Sequence, residues 1–90
     1  MNNSGKYDDR LNIIGDVLRK KRIEKKMSFE KLSNNLLLLG VNIPVTSLHR
    51  IENNQRTVRD YEICALSRAL NIDVLELLNP FLKEFDEKNK

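Results

Sequence analysis

The chain has little of what would staple, interrupt or embed it. Its ninety residues include one cysteine, two prolines, three glycines, one histidine and no tryptophan. A single cysteine, Cys64, cannot form an internal disulfide, so nothing points to an oxidising compartment. Its apolar sequence neighbours predict a buried, inert thiol. The longest run of large apolar residues, 36–39, is far too short to span a bilayer, and no membrane partner is expected. The opening MNNSGKYDDR is polar and is not followed by the apolar stretch of a signal peptide, so a cytoplasmic protein is expected. One histidine, one cysteine and no carboxylate cluster leave no constellation for catalysis, and the Asp8–Asp9 pair reads better as a helix-start feature. No glycine-rich phosphate loop is present. The expectation is a protein that is not an enzyme and has no metal, no cofactor and no small-molecule ligand.

What the chain does have is charge, unevenly placed. The net charge of +3 conceals a basic lobe. Residues 1–59 carry 12 Lys and Arg against 6 Asp and Glu, whereas residues 60–90 carry 4 against 7. Six cations fall in RKKRIEKK, residues 19–26. Cations suit the C-terminal end of a helix, but six exceed what one helix end requires. A basic lobe favours a polyanionic partner, and any phosphate contact it makes would appear in the salt dependence of binding.

Apolar spacing is helical throughout, with no strand pattern, repeat or low-complexity segment. Residues 1–7 read as a loose tail, residues 8–79 as one domain, and residues 80–90 as a C-terminal extension of helical spacing. A first helix is predicted from about Asp8, with Asp8 and Asp9 at its positive end and Leu11, Ile14, Val17 and Leu18 recurring along it. A second is predicted over 29–39, capped by Ser28, with Glu30 in its first turn. Gly40 stops it and Asn42 lies in the turn that follows. A third, over 44–53, begins at Pro44, whose missing N–H costs nothing in a first turn. It turns Leu48 and Ile51 inward and leaves Thr46, Ser47, His49 and Arg50 outside. Asn53 and Asn54 end it in the left-handed conformation. A fourth is predicted over 58–70, opened by Thr57 with Asp60, packing Val58, Ile63, Leu66 and Leu70, with Tyr61 packed near its start. A short fifth follows Asp73 and Glu76 through Leu78, and Asn79-Pro80 punctuates it. Phe81, Leu82 and Phe85 must then pack on their own domain or on a second copy. The central pair of helices has the form that places its second member in a DNA major groove.

Together these features resemble the Cro/CI-type (lambda-repressor-like, XRE) helix-turn-helix family over about residues 11–79. The residues that carry the resemblance are Ile14-Gly15, Leu18, Arg22, MSFEKLS at 27–33, TSLHRIENNQR at 46–56, DYEICALSRAL at 60–70 and NIDVLELL at 71–78. It implies an all-α, compact five-helix bundle, here with a short C-terminal helical extension, that binds double-stranded DNA as a homodimeric, repressor-like transcriptional regulator. Arg22 and Glu52 match a pair that forms an internal salt bridge. Pro44, Val45, Thr46, Ser47, His49 and Arg50 fall where the family faces bases and phosphates, and Asn42 joins them from the turn. Asn53, Gln55 and Arg56 match a loop that touches the sugar-phosphate backbone. Three departures stand out. Phe29 replaces a Gln that often contacts DNA, and Val45 replaces an Arg or Gln that reads a base edge. The turn LLLLGVNIP is longer than in the commonest members. The alternative on the same fold is a protein-interaction module, such as an antitoxin or an anti-repressor partner.

Overall fold

The computed structural model describes residues 9–89. Five helices follow in order: α1 Gly15–Glu24, α2 Phe29–Leu38, α3 Val45–Glu52, α4 Asp60–Ala69 and α5 Leu75–Lys88. No β-strand occurs among the described residues, so the chain is an all-α bundle. Each helix contributes to one core. Ile14 and Leu18, Leu32 and Leu36, Leu48 and Ile51, Leu66 and Leu70, and Leu77 are all fully buried, together with Ile43 from the turn. These are the positions that helical periodicity selects, and each buried Leu or Ile contributes about 1.5–3 kcal/mol relative to exposure. Helix α3 is held between α1 and α2, while α4 packs on α2 and α5 on α1.

The ends of α2 follow the local chemistry read from the sequence. The Ser28 hydroxyl accepts from the Lys31 N–H at 3.1 Å. Gly40, at φ +83°, takes the left-handed conformation that turns the chain. The Ser33 hydroxyl donates to the Ile43 carbonyl at 2.8 Å, which fastens the turn back onto α2.

Helix α1 begins later than predicted. Asp8 lies outside the described residues, Asp9 sits in a turn, and Leu11 is exposed and outside the helix. The reason is a long-range contact. The Leu11 N–H donates to the Asn54 carbonyl at 3.1 Å, and this pins the segment beside the end of α3. The Asn12 side chain then opens α1, its Oδ1 accepting from the N–H groups of Ile14 (3.0 Å) and Gly15 (2.8 Å).

Helix α4 also starts late, at Asp60 rather than Val58. Thr57 does not cap it; instead Glu62 reaches back to accept from the Arg59 N–H at 2.9 Å. The register that buries Glu62, Ala65, Leu66 and Ala69 turns Tyr61, Cys64 and Arg68 outward. Cys64 is therefore exposed rather than buried, and Tyr61 is exposed rather than packed, accepting from Arg59 Nη1 at 3.2 Å. Of the two asparagines expected in the left-handed conformation only Asn54 adopts it (φ +59°); Asn53 stays at φ −95°.

At α5 the capping pair is as read: Asp73 Oδ1 accepts from the Leu75 N–H, and Glu76 accepts from the Asp73 N–H. Asn79-Pro80 does not interrupt the helix, which runs through Pro80 to Lys88. One backbone hydrogen bond is lost at Pro80. The fully buried Leu77 anchors α5 on the core, and ion pairs tie the helix down on both sides of Pro80, Lys21 to Glu76 at 3.1 Å and Arg10 to Glu84 at 3.0 Å. Phe81 is half-buried with its ring 5.6 Å from that of Phe85, while Leu82 and Phe85 remain exposed. No helix of the described residues is long and apolar enough to cross a membrane.

Candidate nucleic-acid interface

Helix α3 is eight residues long, and its two faces differ in kind. Leu48, Ile51 and Glu52 are buried; Thr46, His49 and Arg50 are exposed, with Val45 and Ser47 half-buried. At the spacing of a helix, Val45 or Thr46, then His49 and Arg50, then Asn53 form one outward stripe. Pro44 and Asn42 are exposed ahead of it and Gln55 is exposed after it. Arg50 takes part in no ion pair or hydrogen bond among the described residues, so its guanidinium is available to a ligand.

Two ion pairs fix this stripe from beneath. Arg22 of α1 donates to Glu52 from Nε at 2.6 Å and Nη2 at 3.2 Å, and from Nη1 to the Met27 carbonyl at 3.0 Å. The side chains are 13% and 5% exposed, so this is a buried, bidentate pair that sets α3 against α1. The second pair lies under the following loop. Arg56 donates to Glu62 at 3.0 and 3.2 Å and to the Thr57 carbonyl at 3.0 Å. Burial pushes the Glu62 carboxyl up, but bonds from the Arg56 side chain and the Arg59 backbone, with both positive charges, hold it below its ordinary value. The Arg56 guanidinium is thus turned inward, and reaching a phosphate would require it to leave a buried carboxylate.

Asn12 and Asn54 complete the frame, and neither stood out in the sequence as part of a site. Asn12 Nδ2 donates to the carbonyls of Ile51 (3.0 Å) and Arg56 (2.9 Å), and Asn54 Nδ2 donates to Asn12 O and Oδ1, both at 3.1 Å. These bonds tie the segment before α1 to the last turn of α3 and to the loop after it. No sequence signal could have located them, because the partners lie 39 and more positions away.

The cation run at 19–26 divides by direction. Lys21 pairs with Glu24 and Glu76, Arg22 with Glu52, and Lys25 with the Asn71 carbonyl. Arg19 instead lines a cleft of about 230 Å³ with Arg22, Phe29, His49, Glu52 and Asn53, beside the outward stripe of α3. Its position three residues before Arg22 placed it on that face in advance. Phe29 also lies there. Its ring is 3.9 Å from the His49 ring at 30°, and the Arg22 guanidinium carbon is 3.9 Å from its centre. Among the described residues no group of three or more His, Cys, Asp or Glu is placed to hold a metal ion.

Two adjacent helices joined by a turn, the second presenting a polar stripe and tied to α1 by a buried Arg–Glu pair, define a helix-turn-helix protein of the Cro/CI type. The chain belongs to that family. A solved structure to which it is similar is the restriction-modification controller protein C.AhdI from Aeromonas hydrophila, at 32% identity and a TM-score of 0.65. That match covers 79% of this chain and 98% of the controller. No protein-family model and no curated sequence matches the chain.

Proposed function

We propose that this protein is a cytoplasmic, sequence-specific regulator of transcription that binds double-stranded DNA as a homodimer with α3 in the major groove. The observation that carries the reading is the stripe on α3, headed by an unpaired Arg50 and set in place by the buried Arg22–Glu52 pair. Arg50 reads base edges, with Thr46, Ser47 and His49 reaching bases or phosphates. Val45 offers only apolar contact, suited to a thymine methyl group. Asn42 approaches from the turn. Asn53 and Gln55 meet the sugar-phosphate backbone, with Arg19 as a further phosphate contact, and Arg56 supports their loop through Glu62. Similarity to a restriction-modification controller favours a regulatory role, with control of such genes as its setting.

The dimer is assigned to α5. Leu75, Leu82 and Phe85 are exposed and Leu78 is half-buried. Their spacing of three, four and three places them on one stripe, as a self-complementary helix pair requires. A second reading, a protein-interaction module, is favoured by the exposed Leu37, Leu38 and Leu39 at the end of α2. Retention on a duplex, measured across a salt series, separates the two. A DNA-binding regulator binds at low salt and weakens steeply as salt rises. Absence of retention at low salt would overturn the DNA reading.

A further inference from the structure

We propose that Phe29 is a positioning residue for base readout, acting through His49 rather than by a contact of its own. The inference rests on the DNA-binding reading above and adds to it a determinant of specificity on a different helix. His49 is exposed on the outward stripe of α3, and an unrestrained surface side chain must give up rotamer freedom to make any contact. Here that freedom is already restricted. The imidazole lies 3.9 Å from the Phe29 ring, tilted by 30°, a face-to-face contact that restricts the plane of its ring nitrogens.

Phe29 is itself fixed. The Arg22 guanidinium sits 3.9 Å from the centre of its ring, and Arg22 is held by the Glu52 carboxylate and the Met27 carbonyl. The order therefore runs in a closed path: Glu52 on α3, Arg22 on α1, Phe29 on α2, and back to His49 on α3. An aliphatic side chain at position 29 could fill the space but could neither stack on the imidazole nor attract the guanidinium. The aromatic ring is the feature that links the buried ion pair to the exposed imidazole.

The test compares the wild-type protein with Phe29→Leu, His49→Ala, the double variant and Phe29→Tyr. Each is selected against a random duplex library, with thermal unfolding recorded for each. Phe29→Leu should lose preference at the same base positions as His49→Ala, roughly tenfold where His49 reads a base edge. The double variant should lose no more than His49→Ala alone, and Phe29→Tyr should restore the preference. Additive losses, or a Phe29→Leu motif that keeps the positions lost in His49→Ala, would overturn the inference and leave the regulator standing. A wild-type protein that enriches no motif would overturn both. Should Phe29→Leu fail to fold, the His49 ring-proton resonances of the wild-type protein decide. Stacking predicts an upfield shift in the free protein that persists on the duplex, and unshifted resonances contradict the proposal.

Discussion

Gly15 lies against the carbonyl of Ile51 so closely that a β-carbon added to it would stand 2.5 Å from that oxygen. The same atom would be 2.7 Å from Asn54 Nδ2 and 3.0 Å from the Glu52 carbonyl. The start of α1 thus butts onto the end of α3, with Asn12 between them: its Oδ1 accepts from the N–H groups of Ile14 and Gly15 while its Nδ2 donates to the Ile51 carbonyl. The orientation of α3 depends on this contact as well as on the Arg22–Glu52 pair.

Gly15→Ala should therefore destabilise the protein although alanine is the better helix former. Two of the three obstacles, the Ile51 and Glu52 carbonyl oxygens, are backbone atoms that cannot rotate aside, so the cost is about 1–3 kcal/mol. Denaturant unfolding checks it. A variant as stable as the wild type would mean that the two helix ends separate freely.

Arg22→Ala leaves the Glu52 carboxylate buried without its partner, and a loss of about 3–5 kcal/mol is expected. Replacing both residues with Met and Leu should recover much of that loss, because the unpaired charge is then gone. A double variant no better than Arg22→Ala in thermal unfolding would show that packing by Arg22, not charge pairing, holds α3.

Much of this frame was open to reading in the sequence. Ser28, Gly40 and the Asp73–Glu76 pair act through neighbours a few positions away, and Leu32, Leu36, Leu48 and Ile51 follow helical periodicity. A distant partnership is legible only where the family resemblance supplies it, as for Arg22 and Glu52. Asn12 carries no local sign that it will bond Ile51 and Arg56, and so the helix was expected to start at Asp8. Pro80 reads as a break unless the bonds from Lys21 and Arg10 to α5 are known. Cys64 and Tyr61 are a different case. The register of α4 places them opposite Leu66, but the apolar neighbours of Cys64 in sequence suggest burial, whereas Tyr61 stands between the charged Asp60 and Glu62.

Acid should weaken the fold through Glu62. In the folded protein this carboxyl binds a proton less readily than in the unfolded chain, so the unfolded state takes up more protons as pH falls. Its contribution is complete above the unfolded carboxylate range, about pH 4.3, and is lost as pH drops through the lower folded value. Glu62→Gln should lower stability at neutral pH and flatten the decline in acid. Unfolding curves at neutral and acid pH check this. An unchanged acid slope would contradict the role given to the Arg56–Glu62 pair.

Arg50→Ala should weaken the preferred duplex by about 1–3 kcal/mol and relax preference at one or two positions. Arg19→Ala should instead weaken all duplexes alike and reduce the salt slope by about one. Titrations on matched and scrambled duplexes at several salt concentrations distinguish the two. A uniform loss for Arg50→Ala would remove it as a base reader.

On the proposed function, this chain reads a DNA sequence through α3, as a dimer. The most direct measurement is selection from a random duplex library at two salt concentrations, with bound and unbound pools sequenced. One enriched, roughly palindromic motif is expected, with half-sites about one helical turn apart. Equal composition of the two pools at both salt concentrations would contradict it.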